Sequence, residues 1–171
     1  RMSLLKKLRG TLIVIPVVNI FGLIQHSRYL PDRRDLNRSF PGSSSGSLAS
    51  RLAHTFIQEI VSHCDYGIDL HTGAIHRSNL PQIRGNLDHE KTKQLAEVFG
   101  APIMLNSDLR DGSLRQAADE LGVPVLLYEA GEALRFDELS IRTGVRGILT
   151  VMREVKMLPP SKTKAKPRET I

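Results

Sequence analysis

A single cysteine in 171 residues leaves no partner for an internal disulfide, so Cys64 fits a reducing compartment and the chain reads as cytoplasmic. Tryptophan is absent, and five phenylalanines and three tyrosines are the whole aromatic complement. With so few aromatics and no nucleic-acid signature, a basic nucleic-acid-binding face finds little support. No apolar run approaches the roughly 20 residues that a membrane helix needs, which argues against a membrane partner. The opening RMSLLKKLRG is basic but lacks the apolar stretch and small-residue cleavage site of a signal peptide.

What is present is the composition of a globular domain, 40% hydrophobic and 25% charged, long enough to bury a core. The net charge of +6 is unevenly placed. From Lys156 to Ile171, four lysines and Arg168 stand against Glu169, so +4 of the +6 sits in this closing stretch, which includes PPSKTKAKPRET. That composition predicts a flexible linker or tail over 159–171, after one domain over 1–158.

TLIVIPVVN (11–19), YGIDLHT (66–72), APIMLN (101–106) and VPVLLYEAG (123–131) are short apolar runs rich in branched residues. Runs apolar on both faces predict strands of a mostly parallel sheet covered on both sides. Helical patterns lie between them. Leu48, Leu52, Phe56 and Ile60 form one stripe, widened by Ala49, Ala53 and Ile57. DHEKTKQLAEVFG offers Asp88 as an N-cap and Gly100 as the residue past the helix end, and Ser113 and Gly122 bracket SLRQAADELG in the same way. A last helix is expected from about Asp137 to Met157, with Leu139, Val145, Ile148, Leu149, Met152 and Val155 inward. Alternating strands and helices predict a three-layer α/β domain, mostly parallel (mixed), with ligands bound where the parallel strands end.

Three predicted strands end in polar groups: Asn19, then Asp69 and His71, then Glu129. Strand alternation puts Asp69 and His71 on one face. His71 is either a strand-end histidine bonded to a neighbour or a metal ligand whose tautomer a nearby carboxylate fixes. Glu129, directly after an apolar strand, is expected to be partly desolvated and suited to general-base work, unless it pairs with an arginine. Glu132, three residues on, is expected at the surface. RYLPDRRDLNRSFPG (28–42) packs four arginines and two aspartates into eleven positions. Arg28, Asn37 and Arg38 suit an anion pocket, because guanidinium groups fork onto carboxylates and polarise carbonyl oxygens; Arg33 and Arg34 are expected to pair with Asp32 and Asp35 or to be solvated.

DLNRSFPG (35–42), IDLHTG (68–73) and YEAG (128–131), in that order after GTLIVIPVVN (10–19), resemble the succinylglutamate desuccinylase/aspartoacylase family, relatives of the zinc carboxypeptidases. The similarity spans most of residues 10–158. It implies a zinc-carboxypeptidase-like fold and a zinc-dependent hydrolase that cleaves an N-acyl group from a small amino-acid-like substrate bearing a carboxylate. By the same resemblance His71 is a zinc ligand, Glu129 the catalytic carboxylate, and Arg28 the group polarising the scissile carbonyl. Asn37 and Arg38 hold the substrate carboxylate, and Arg115 in GSLRQAA is a further substrate-binding arginine.

The family's first two zinc ligands come from a His-x-x-Glu motif before the arginine loop. Here the first glutamate is Glu59, and no histidine has a glutamate three positions later. The expectation is therefore a truncated version of a longer enzyme, short of two zinc ligands and of one sheet strand. A carboxylate-binding module without zinc is the alternative function, and nucleic-acid binding through the tail a third. The oligomeric state is open.

Overall fold

The computed structural model describes residue 4 and residues 6–161. Residues 162–171, most of the expected tail, lie outside the described residues. The α-helices include α1 (Ile20–Gln25), α2 (Leu48–Glu59), α3 (Glu90–Phe99), α4 (Leu114–Glu120) and α5 (Glu138–Glu154). Four strands, β1 (Gly67–Gly73), β2 (Asn79–Gly85), β3 (Ile103–Asn106) and β4 (Val125–Glu132), form one sheet in the order β1-β4-β2-β3. β1 runs parallel to β4 and β2 parallel to β3, while β2 and β4 are antiparallel. The sheet is mixed, with helices on both faces. No helix among the described residues is long and apolar enough to cross a membrane.

Ile83, Leu126, Tyr128 and Ala130 bury one face against Leu95, Ala96 and Phe99 of α3 and Val151 of α5. On the other side Ala49, Ala53 and Ile57 of α2 pack with Ala117 and Ala118 of α4, which Val125 joins from β4. Helix ends follow local chemistry. Ser47 and Ser113 accept hydrogen bonds from Ser50 N and Gln116 N, each satisfying a first-turn N–H that the helix cannot. Gly100 (φ +77) closes α3 in the left-handed conformation that glycine adopts without a Cβ clash.

Four expectations need correction. Residues 11–19 form no strand, and Leu12, Ile13, Val14, Ile15 and Val17 are 36–69% exposed. An extended run becomes a strand only beside a partner, and no described strand pairs with it. The sheet instead gains β2, unanticipated because Pro81 and Arg84 interrupt its apolar pattern; Pro81 falls where the β2–β4 register slips between Asn79 and Gln82. The N-cap of α3 is His89, not Asp88, whose carboxylate accepts a hydrogen bond from Asn106 Nδ2 at 3.1 Å. Finally, Leu139 points outward, 59% exposed. The inward side of α5 is built on Thr143, Gly144, Gly147 and Val151, because the rings of Tyr128 and Phe99 lie against the two glycines.

Candidate active site at the strand ends

In the β1–β4 ladder His71 lies opposite Glu129, and Asp69 opposite Leu127. Laterally paired residues project to the same side of a sheet, so Asp69, His71 and Glu129 share one face near the carboxyl ends of two parallel strands. Asp69 Oδ2 lies 2.9 Å from His71 Nε2. This bond places a proton on Nε2 and leaves the Nδ1 lone pair with no partner among the described residues. Burial disfavours the imidazolium, but the hydrogen bond and charge of Asp69, with the charge of Glu129, outweigh it; the His71 pKa is raised overall, against a smaller opposing effect of Arg28.

Glu129 is partly shielded, its side chain 18% exposed. Oε1 accepts a hydrogen bond from Asn79 Nδ2 at 2.8 Å, and Oε2 stands 3.2 Å from Arg84 Nε. Both carboxylate oxygens are thus held from β2. Asn79 and Arg84 went unnoticed in the sequence because their strand did; the available signal was Gln82 and Arg84 alternating with the apolar Ile83. Glu132, expected at the surface, is instead tied in: its Oε1 accepts from His76 N at 2.9 Å and pairs with Arg135 Nε at 3.3 Å.

The arginine loop is a structured rim. Arg28 Nε pairs with Asp35 Oδ2 at 2.8 Å, which leaves the terminal nitrogens of Arg28 unused among the described residues, and its charge reaches His71. Asp35 Oδ1 accepts from Asn37 N at 3.0 Å, capping a single turn of 3-10 helix over Leu36–Arg38. Asp32 therefore does not pair with its neighbouring arginines through side chains. It accepts from the backbone N–H of Ala49 (2.9 Å) and Arg34 (3.2 Å), tying the loop to the first turn of α2. Asn37 Oδ1 accepts from Leu114 N at 2.9 Å, joining the loop to the start of α4. Arg38 folds back, Nη1 donating to Asn37 O, and its side chain is exposed.

Arg115 is 8% exposed. Nη1 donates to Ser107 O, and Nη2 to Ser107 Oγ and Asp108 O, at 3.2–3.3 Å. Burial first, then the charges of Arg84 and Arg110, lower its pKa against a smaller effect of Asp69. The structure thus places His71 within the electrostatic reach of both Glu129 and Arg28. Asn37 and Arg38 are connected to them through the loop and α4, and Arg115 spends its donors on residues 107 and 108. A groove of about 540 Å³ lies elsewhere, on the outer side of α5 between Ile141, Val145, Leu149 and Arg146.

Among the described residues no three His, Cys, Asp or Glu side chains are grouped to hold a metal ion. At the strand ends, His71 has an open Nδ1 and a carboxylate against the opposite ring nitrogen.

Comparison with known proteins gives a consistent pattern. The family described as "Succinylglutamate desuccinylase/Aspartoacylase catalytic domain" matches residues 2–155. An N-alpha-acetyl-L-2,4-diaminobutyric acid deacetylase of Halomonas elongata is 32% identical over 100 residues, 55% of this chain and 29% of the relative. A crystal structure of a succinylglutamate desuccinylase/aspartoacylase from Rhodobacter sphaeroides superposes with a TM-score of 0.83 at 28% identity, over 94% of this chain and 50% of that one. The product-bound ectoine utilization protein EutE (DoeB) of Ruegeria pomeroyi shares the fold, with a TM-score of 0.85 at 23% identity over 94% and 52% of the two chains. The chain spans about half the length of these solved structures and under a third of the curated relative.

Proposed function

Because the chain belongs to the succinylglutamate desuccinylase/aspartoacylase catalytic-domain family, we propose that it forms the core of a zinc-dependent hydrolase that removes an N-acyl group from a small, carboxylate-bearing, amino-acid-like substrate. The family's members in these comparisons are deacylases, which supports the reaction class. The observation that carries the assignment to this site is the His71–Glu129 pairing across β1 and β4, with the charge of Arg28 reaching His71.

In this reading a zinc ion, when bound, would supply Lewis acidity, and His71 would contribute Nδ1 toward holding it, with Asp69 fixing the ring. Glu129, oriented by Asn79 and Arg84, takes a proton from the attacking water and passes it to the amine nitrogen as the C–N bond breaks, leaving a carboxylate and a free amine. Arg28, held by Asp35, aims its terminal nitrogens at the carbonyl oxygen, where negative charge develops. The exposed guanidinium of Arg38 and Asn37 Nδ2 bind the substrate carboxylate. Cys64, half-buried with its thiol donating to Ile60 O at 3.2 Å, suits a reduced, cytoplasmic setting.

The donor set favours a second reading: with no three ligands grouped among the described residues, the same site binds carboxylates without turning substrate over. Amine release from a panel of N-acetyl and N-succinyl amino acids, measured with zinc present on the longest protein carrying this sequence, separates the two. Hydrolysis supports the enzyme; saturable carboxylate binding with no amine released supports the binding module.

A further inference from the structure

We infer that Arg84 forms a carboxylate subsite beside Glu129, separate from the Asn37–Arg38 pair. Arg84 sits on β2 opposite Leu127, two positions along the ladder from Gln82, which lies opposite Glu129. Its side chain is on the same sheet face as Glu129 and reaches diagonally to it, Nε standing 3.2 Å from Oε2. That Nε is buried and makes no directed hydrogen bond, so the contact is an ion pair of loose geometry. The two terminal amino groups have no acceptor among the described residues, and the side chain is 32% exposed. One edge of the guanidinium is therefore held while the other, a pair of N–H donors spaced for a carboxylate, is unused among the described residues.

The surroundings make this fork a place for an anion. Arg84 and Arg110 both impose positive charge on Arg115, so three guanidinium groups cluster where Asp69 and Glu129 are the balancing carboxylates. Arg115 is no rival for the ligand, since both of its terminal nitrogens already donate to Ser107 and Asp108. The anion-binding role that the sequence suggests for Arg115 falls instead to Arg84. An anion bridging its free edge offsets the repulsion among the three cations without displacing a protein partner.

This subsite rests on the hydrolase reading for its link to turnover, but binding tests it alone. Succinate and butyrate are both four-carbon acids and differ by one carboxylate. Titrated by NMR into the chain, succinate is expected to bind about tenfold more tightly, the effect of one added charge-assisted contact. Arg84→Gln is expected to remove that preference and Arg84→Lys to keep part of it. Equal affinities in the wild type, or a preference that survives Arg84→Gln, would overturn the inference. If Arg84→Gln does not fold, the guanidinium ¹⁵N signals of the wild type decide: those of Arg84 shift on adding succinate, or the subsite is wrong. No amine release from the longest protein carrying this sequence, together with a succinate preference lost in Arg84→Gln, sinks the hydrolase and keeps the subsite. Hydrolysis with succinate binding indifferent to Arg84 does the reverse.

Discussion

Replacing Gly147 by alanine sets two known effects against each other. In a helix interior alanine is favoured over glycine by about 1 kcal/mol, so on propensity alone Gly147→Ala stabilises α5. In this fold a Cβ at position 147 would stand 2.3 Å from Cε1 of Phe99, with Cδ1 and Cζ at 2.4 and 2.5 Å. Real contacts of this kind are about an ångström longer, and Phe99 has nowhere to withdraw. Its ring is 1% exposed and rests against Tyr128, centroids 5.1 Å apart. Overpacking of a well-filled core costs about 1–3 kcal/mol, and so severe an overlap belongs at the upper end. The net expectation is a loss of about 2 kcal/mol, or about 4–8 °C in melting temperature for a domain of this size. Urea and thermal unfolding followed by circular dichroism measure it. The decisive comparison is the Phe99→Leu background, which lacks Cε1 and Cζ, two of the three clashing atoms: there Gly147→Ala should cost much less than in the wild type. A gain of about 1 kcal/mol from Gly147→Ala in the wild-type background would show that propensity governs and that α5 does not press on Phe99 as described.

Two further outcomes concern the rim. Asn37→Ala removes the acceptor for Leu114 N and should lower stability by about 1 kcal/mol, in the range of a lost helix cap; amide exchange at Leu114 should accelerate, and an unchanged rate would contradict the tie between loop and α4. Hydrogen bonding from Ala49 N is the main cause of the lowered Asp32 pKa, so this carboxylate contributes stability above its ordinary value of 3.8 and loses it as the pH falls through its folded value. Asp32→Ala should accordingly lower the urea midpoint at pH 6 and match the wild type at low pH, whereas a pH-independent difference would refute the assignment.

Much of the site is legible in the sequence because a strand's alternation and its end are local properties. IDLH is enough to put Asp69 and His71 on one face, and YEAG to place Glu129 near the end of β4, which runs on to Glu132. That they become neighbours depends on β1 pairing with β4 in a parallel register, which the α/β pattern anticipates. The groups that hold Glu129 were out of reach for a related reason. Asn79 and Arg84 belong to a strand whose proline and polar residues suit a functional sheet face and spoil its apolar pattern. Residues 11–19 show the converse: a strong strand pattern describes only one half of a ladder, and no described strand supplies the other. The inward side of α5 was misjudged because apolar periodicity gives weight to Leu139 and none to Gly144 and Gly147, where two aromatic rings fill the space.

The central claim, that Glu129 moves the proton while His71 serves the metal, is tested most directly by Glu129→Gln in the longest protein carrying this sequence. Amine release from N-acyl amino acids and bound zinc are to be measured on the same preparation. Hydrolysis falling about a hundredfold or more with zinc content unchanged is the predicted result. Hydrolysis at the wild-type rate, or zinc lost along with activity, would contradict it.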